Sequence, residues 1–362
     1  MADRRPERLA ALLDALAAAH LDALLLTGLP NIRYLTGFSG SSALVVVTPR
    51  ERVLITDFRY ATQVVEEVGD FARVEIEPQS LWSRLWRILP EMGALPAIGF
   101  ESAHLQHVDF ERLLGAGARW AWRPSRDLVE GLRERKDDEE IARIAAAAAL
   151  AEHALERTLA QVRPGMSELA VAGVLEHALR DAGSTGFPFE TIVASGERSA
   201  LPHARAGARE LARGDFLLLD FGAIVDGYCS DITRTVVVGR ASDEQRAVHE
   251  IVRGANAAAA AGVRAGMRGR DADALARRYI EERGYGEAFG HSLGHGLGLE
   301  VHEAPRLART AEAPLPERAV VTIEPGIYRA GWGGVRIEDD VVVGPDESRI
   351  LTTFPRDLLE VG

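Results

Sequence analysis

Hydrophobic and polar positions alternate in two different periods along the first 125 residues. Apolar residues recur at helical spacing over 6–20, 59–68 and 80–90. Between these segments, short aliphatic runs of strand length occupy residues 22–28, 43–48, 52–56, 73–77 and 97–100. Alternating helix and strand patterns of this kind predict a small α/β domain over residues 1–125.

The pattern changes between residues 122 and 140, where the chain is proline-containing and highly charged. We predict that residues 126–136 form a linker and that a second domain covers 137–362. Four acidic residues at 137–140 begin the second domain. Because a helix dipole favours negative charge in the first turn, these residues predict the start of a long helix.

The second domain contains a faint internal repeat. The sequence VRPGM at 162–166 recurs as VRAGM at 263–267, an offset of 101 residues, and Gly183 matches Gly284 at the same offset. Both copies show a long helix, a tight loop, a second helix and then strands. We therefore predict two similar halves with a shared sheet and a site at their junction.

The composition narrows the function without identifying it. The chain has 362 residues, of which 47% are hydrophobic and 27% charged, as in ordinary globular proteins. Its net charge of -12 argues against a nucleic-acid partner, and no apolar run reaches membrane-spanning length. Cys229 is the only cysteine, so we expect no intrachain disulfide and a reducing, cytoplasmic location.

Four carboxylates and one histidine lie in or beside apolar, strand-like segments, where a charged side chain must be paired or bound to metal. They are Asp220, Asp231, His295, Glu324 and Glu338. The turn signal Asp226-Gly227 predicts a hairpin that brings Asp220 and Asp231 roughly opposite each other. Two facing carboxylates need a cation between them, although either one alone fits an edge or exposed loop charge. The whole set exceeds what one ion needs and predicts a two-metal hydrolytic centre.

Other polar residues near these positions have simpler interpretations. Arg336 lies two residues before Glu338, so the two could form an ordinary ion pair. Asp339 and Asp340 fit solvent-facing turn residues, and we leave both outside the predicted site.

Three histidines lie in the glycine-rich stretch 291–303. His295 has a glycine on each side, which allows close approach of the backbone to a metal or substrate. His291 and His302 are candidates for the same cavity. His203 lies well away in sequence and by itself fits a surface or core histidine.

The order and spacing of the five candidate ligands closely resemble those of the pita-bread metallopeptidases, which include prolidases, aminopeptidase P and methionine aminopeptidase. The resemblance covers roughly 137–350. It implies an α+β fold: a pita-bread catalytic domain with an internal pseudo-two-fold repeat, preceded by a smaller α/β creatinase-like domain. The segment NIRYLTGFSGSSALVVV (31–47) is similar to prolidases and aminopeptidase P, which disfavours the methionine aminopeptidases.

The resemblance also implies how the ligands are shared. Asp231 and Glu338 are expected to bridge two divalent metal ions, with Asp220 on one side and His295 and Glu324 on the other. Manganese or cobalt is the expected metal, and the ligand types leave zinc or iron open.

Further roles follow from the same resemblance. Glu324 is the expected proton shuttle, while His302 and His203 are expected to hydrogen-bond the substrate carbonyl and the tetrahedral oxyanion. His291 is expected to line the pocket for the proline ring. Arg336 is counted with the substrate-binding residues.

The expected reaction is hydrolysis of the bond between a residue X and proline. Arg306 could bind the free carboxylate of a dipeptide, which favours a Xaa-Pro dipeptidase (prolidase) acting on proline-containing dipeptides. A Xaa-Pro aminopeptidase acting on longer peptides is the alternative, and a non-catalytic binding scaffold is a third possibility that the complete ligand set disfavours. The family implies a homodimer.

Overall fold

The computed structural model describes residues 3–362. The chain divides after Arg133 into an N-terminal unit and a C-terminal unit, Glu134–Gly362. No helix within the described part of the chain is both long and apolar enough to cross a membrane.

The N-terminal unit is a mixed sheet with helices, in agreement with the predicted α/β pattern. Its helices are α1 (Arg5–Ala18), α2 (Leu29–Thr36), α3 (Ala61–Val68), α4 (Leu81–Ile88), α5 (His107–Leu114) and α6 (Glu130–Arg133). Its strands are β1 (Ala23–Leu26), β2 (Ala43–Val47), β3 (Arg52–Thr56), β4 (Arg73–Ile76), β5 (Ile98–Glu101) and β6 (Trp122–Ser125). They form one sheet in the order β4-β3-β2-β1-β5-β6.

Four elements of this unit were not predicted, namely α2, α5, β6 and α6. Helix α2 is short and begins with a proline in its first turn, so its apolar pattern is too brief to show a period. Strand β6 contains Pro124, which a sheet tolerates here because β6 is an edge strand. Helix α6 falls inside the predicted linker, and its buried Arg133 donates to Asn31 Oδ1 at 2.8 Å.

The C-terminal unit begins with paired helices and strands. Its helices are α7 (Asp138–Leu159), α8 (Glu168–Asp181), α9 (Asp243–Gly262) and α10 (Gly269–Glu281). Its first strands are β7 (Ile192–Ser195), β8 (Phe216–Phe221), β9 (Ile224–Val225), β10 (Tyr228–Cys229) and β11 (Ile232–Val238). The remaining strands are β12 (Gly294–Gly296), β13 (Glu303–Leu307), β14 (Val320–Ile323), β15 (Gly326–Arg329), β16 (Gly333–Arg336), β17 (Asp339–Val342), β18 (Arg349–Ile350) and β19 (Glu360–Val361).

The internal repeat is present in the structure. Helices α7 and α8 recur as α9 and α10, and each long helix begins with a capping box, at Asp137 and at Ser242. The turns that follow depend on glycine, because Gly165, Gly266 and Gly284 have φ of 88°, 79° and 84°. The strand order β7-β8-β11 of the first half recurs as β12-β14-β17 in the second.

The prediction of one shared sheet is wrong. The strands form two larger sheets, with orders β19-β11-β8-β7 and β13-β12-β14-β17-β18, and two separate two-stranded sheets, β9–β10 and β15–β16. Two apolar core clusters pack against the larger sheets. The halves meet where the Glu338 N–H donates to the Thr233 carbonyl oxygen at 3.1 Å. The polar side chains described next lie at this junction.

Candidate metal centre

The first half places two carboxylates through an antiparallel strand pair. Asp226 and Gly227 form the two-residue turn between β9 and β10 with φ of 46° and 77°, as the sequence predicts. In the longer pair β8–β11, Asp220 lies opposite Thr233, and Asp231 comes two residues before Thr233. Asp220 and Asp231 are only 8% and 4% exposed, which excludes the interpretation as surface charges.

The second half supplies the other three candidate ligands from three neighbouring segments. His295 is the central residue of β12, and Glu324 directly follows β14, which pairs with β12. Glu338 lies between β16 and β17, where its Oε2 accepts a hydrogen bond from Thr233 Oγ1 at 2.6 Å. Thr233 therefore fixes a carboxylate from the opposite half.

The histidine and the carboxylates converge on a common space. His295 Nε2 lies 3.5 Å from Glu324 Oε1 and 3.8 Å from Asp231 Oδ2. One ligand atom each from Asp231, His295 and Glu338 lie within 4.8 Å of one another. His295 Nδ1 is 3.0 Å from the Gly296 carbonyl oxygen, so a proton on Nδ1 leaves Nε2 free to bind a metal.

The electrostatics of this cluster suit divalent cations. Burial, and then the neighbouring carboxylates, raise the pKa of Asp231 and of Glu338 well above the ordinary value. Burial also raises the pKa of Glu324 to about 8, and it lowers the pKa of His295 to about 4. Among residues 3–362, Oδ1 of Asp220 and Oδ1 of Asp231 are buried without a hydrogen-bond partner. Divalent cations would compensate these carboxylates and use the neutral imidazole as a nitrogen ligand.

The predicted substrate-binding residue Arg336 is buried and directs its donors at the protein. Its guanidinium forms an ion pair with Asp220, rather than with the neighbouring Glu338. It also donates to Thr233 Oγ1 at 3.0 Å and to Tyr328 Oη at 2.7 Å. This geometry fits a residue that orients Asp220 and Tyr328.

Two of the other predicted histidines lie beside the cluster. His291 Nδ1 is 4.0 Å from Glu324 Oε2, and its Nε2 is 2.9 Å from Tyr328 Oη. The rings of His302 and His295 have centroids 4.3 Å apart. Burial lowers the pKa of His302, with a further contribution from the charge of Arg306.

His203 and Arg306 are both exposed. His203 lies in the loop between β7 and β8, close enough to His291 and His302 to contribute electrostatically to lowering the pKa of both. Arg306 lies in β13 directly opposite His295. Its guanidinium donates no hydrogen bond and forms no ion pair within residues 3–362, so it is available to an external carboxylate.

The prediction that Asp339 and Asp340 face solvent is wrong, because both are fully buried in β17. Asp339 forms an ion pair with Arg234, and Asp340 Oδ2 accepts the Asp231 N–H at 3.2 Å. The run of valines that follows them was the available signal, since it indicates a buried strand rather than a turn.

A duplicated α+β scaffold with buried carboxylates around one histidine defines the class of metal-dependent hydrolases. Residues 142–345 match the model of metallopeptidase family M24, and residues 8–135 match the Creatinase/Prolidase N-terminal domain. The chain therefore belongs to metallopeptidase family M24, a family of hydrolases that use divalent metal ions. The predicted fold, a creatinase-like domain followed along the chain by a pita-bread domain, is confirmed.

Individual relatives cover nearly the whole chain. The Xaa-Pro dipeptidase of Pyrococcus horikoshii is 34% identical over 354 residues, which cover 98% of this chain and 99% of the relative. The structure of the Xaa-Pro dipeptidase from Bacillus anthracis superposes with a TM-score of 0.95 at 41% identity, covering 99% of this chain and 100% of that one. The X-Pro aminopeptidase from Thermotoga maritima has a TM-score of 0.91 at 39% identity, covering 98% and 99%.

Proposed function

We propose that this protein hydrolyses the peptide bond between a residue X and proline, and that it is a Xaa-Pro dipeptidase. The observation that carries the proposal is the unpaired Arg306 directly opposite the candidate ligand His295. An exposed guanidinium beside a metal centre is suited to the free carboxylate of a dipeptide. Relatives named Xaa-Pro dipeptidase match the chain over nearly its full length.

The five ligands would hold two divalent ions, manganese or cobalt, with zinc or iron as alternatives. Asp231 and Glu338 would contribute to both ions, Asp220 to one, and His295 and Glu324 to the other. The chemistry supplied by such a pair is activation of a water and polarisation of the scissile carbonyl.

The remaining steps belong to the side chains of this protein. Glu324 moves a proton from the attacking water to the leaving nitrogen, and Thr322 Oγ1 orients its Oε1 from 3.2 Å. His302 and His203 donate hydrogen bonds to the substrate carbonyl and the tetrahedral oxyanion. His291 lines the pocket for the proline ring. Its hydrogen bond to Tyr328 fixes the orientation of the imidazole ring.

The test uses purified protein loaded with manganese or cobalt, on Xaa-Pro dipeptides and Xaa-Pro-Yaa tripeptides. We expect a higher kcat/KM for dipeptides and no activity in Asp231→Ala. If the Asp231→Ala variant remains active, the assignment of metal-dependent Xaa-Pro hydrolysis to this site is contradicted.

Arg306→Gln separates the two substrate lengths. Loss of a charge-assisted pair should raise KM for dipeptides about tenfold or more and leave tripeptides nearly unchanged. Arg264→Gln, another exposed arginine of the C-terminal unit, is the control. An equal effect of both substitutions contradicts the role of Arg306.

The second candidate is a Xaa-Pro aminopeptidase, which the similarity to the Thermotoga maritima structure supports. A strong preference for tripeptides in the same assay would favour it over the dipeptidase.

We also propose that the protein is a cytoplasmic homodimer. The single cysteine fits a reducing compartment, and the dimer is the expectation that the resemblance to the family implies. Light scattering of the purified protein measures its mass, and a monomer would contradict the proposal.

A further inference from the structure

The segment that carries His291 and His295 is fixed by hydrogen bonds from side chains on other elements. Residues 289–296 include Gly290, Gly294 and Gly296, so the free segment has high backbone freedom. In the fold, the backbone is bonded by side chains at every second residue from 289 to 295. Such fixation needs partners on other elements.

One buried ion pair on α10 supplies the first three of these contacts. Arg277 Nη1 donates to the Phe289 carbonyl oxygen and Nη2 to the His291 carbonyl oxygen, both at 2.8 Å. Asp273 Oδ1 accepts the Leu293 N–H at 3.0 Å. The fourth contact runs from the His295 N–H to Thr322 Oγ1 at 3.1 Å.

The pair is built as a rigid unit. Arg277 donates Nε and Nη2 to the two oxygens of Asp273 at 2.7 and 2.8 Å, and the two residues are 6% and 1% exposed. The guanidinium also lies over the Phe289 ring, with its carbon 4.2 Å from the centroid. A bidentate pair in this setting holds its partners in one geometry.

The contacts reach the His291 ring. Phe289 packs edge-on against His291 at a centroid distance of 5.1 Å. Arg277, Phe289 and His291 line the same cavity of about 730 Å³. The pair thus fixes both the backbone and one neighbour of the histidine that faces the candidate metal centre.

The first half lacks this pair. In the first half, the positions 101 residues earlier are Ala172 and Glu176 on α8, so the equivalent helix packs without an aspartate–arginine pair there. The pair therefore occurs only in the half whose held segment carries His291 and His295.

We propose that Asp273 and Arg277 are positioning residues that set the proline pocket by holding His291. This inference rests on the proposed function of His291. It predicts that loosening the pair weakens substrate binding on the proline side more than it slows the reaction.

The test compares Arg277→Met and the more conservative Arg277→Lys with the parent protein. The matched control is Arg253→Met on α9, which breaks an exposed bidentate pair with Glu250. Hydrogen exchange of residues 286–296 is measured with and without metal, together with metal content and the kinetics of Xaa-Pro cleavage.

We expect faster exchange at 286–296 in both Arg277 variants, unchanged metal content, and KM raised about tenfold with kcat within about twofold. Arg277→Lys should show the smaller change in each. In a His291→Ala background, Arg277→Lys should raise KM no further, because the pair acts through His291.

Unchanged exchange at 286–296 overturns the proposal, whether or not the protein is active. A fall in kcat at constant KM, or an added KM effect in the His291→Ala background, also overturns it. If the parent protein cleaves no Xaa-Pro bond, the proposed function fails, and faster exchange confined to the Arg277 variants still supports the positioning role.

Discussion

The two halves of the C-terminal unit share a scaffold and divide the chemistry between them. Asp220 lies near the end of β8, and Glu324 directly follows the equivalent strand β14. Asp231 and Glu338 directly precede the next equivalent strands, β11 and β17, whereas the position of β7 that corresponds to His295 is Ala194. The repeat thus duplicates the carboxylate pair but not the histidine, and the five candidate ligands come together only where both halves meet.

The halves also differ in how they hold the loops around that centre. In the first half, the buried carboxylate of Glu168 accepts N–H groups from Ser195 and Gly207, which flank the loop that carries His203. The second half has Gly269 at the equivalent position, where a Cβ would lie 2.1 Å from the Arg306 carbonyl oxygen. Direct backbone contact thus replaces a side-chain anchor, and Arg277 holds the His291 segment instead.

The largest expected effect comes from removing a first-half ligand. Asp231→Asn should lower kcat/KM at least about a hundredfold, beyond the usual loss for an outer partner of a metal ligand, and reduce bound metal. Asp226→Asn, in the turn of the same hairpin, is the control and should retain activity. Full activity and metal content in Asp231→Asn would show that the second half alone forms the centre.

The stability of metal-free protein should depend on pH through residues from both halves. Burial raises the folded-state pKa of Glu324 from 4.5 to about 8, and raises that of Asp231 and Glu338 as well. The fold then binds more protons than the unfolded chain, so the free energy of unfolding falls as pH rises. Below 6.5 the effect is opposed, because burial lowers the folded pKa of His291 and His295 to about 4.

Between pH 6.5 and 8 the carboxylates act alone, and each retained proton should cost about 1.4 kcal/mol per pH unit. Urea unfolding of chelator-treated protein measures this slope. Added divalent metal should flatten it, because metal replaces the protons. A free energy of unfolding that rises with pH across this interval would contradict the retention of protons by these buried carboxylates.

Loss of the Glu168 anchor in the first half should lower kcat more than it lowers the metal content. Glu168→Gln replaces one acceptor oxygen with a donor that faces other donors, so the His203 loop loses its fixed position. We expect kcat to fall about tenfold with normal metal content. Glu197→Gln, in the same loop but exposed, should have no effect, and an equal loss in both variants would contradict the role of the Glu168 carboxylate.

The smallest effect is expected across the junction itself. Asp340 from the second half accepts the N–H of Asp231, and an amide oxygen can do the same. Asp340→Asn should therefore change kcat/KM by about twofold or less and the free energy of unfolding by about 1 kcal/mol. A loss as large as that of Asp231→Asn would show that Asp340 acts as a ligand.

Local sequence patterns were enough to predict the candidate ligands and the repeat. Charged residues in apolar strands stand out because burial makes them costly, and VRPGM and VRAGM mark the same turn twice. Long-range partners could not be read in this way. Arg336 pairs with Asp220, which is 116 residues distant, rather than with its neighbour Glu338, because strand placement decides the contact.

The separation into two sheets was unpredictable for the same reason. Periodicity indicates strands but does not say which strands pair. The Asp273–Arg277 pair is likewise an ordinary helical i, i+4 spacing in sequence, and only the fold shows that it faces the His291 segment.

Lys136 is the only lysine in the sequence, and its ammonium group is buried against Glu303 Oε1 at 2.6 Å, one residue from His302. Its side chain is 1% exposed, so reagents that acylate amines should leave it unmodified in the folded protein. The rate at which Lys136 is labelled therefore measures opening of strand β13, which begins at Glu303, the residue after His302.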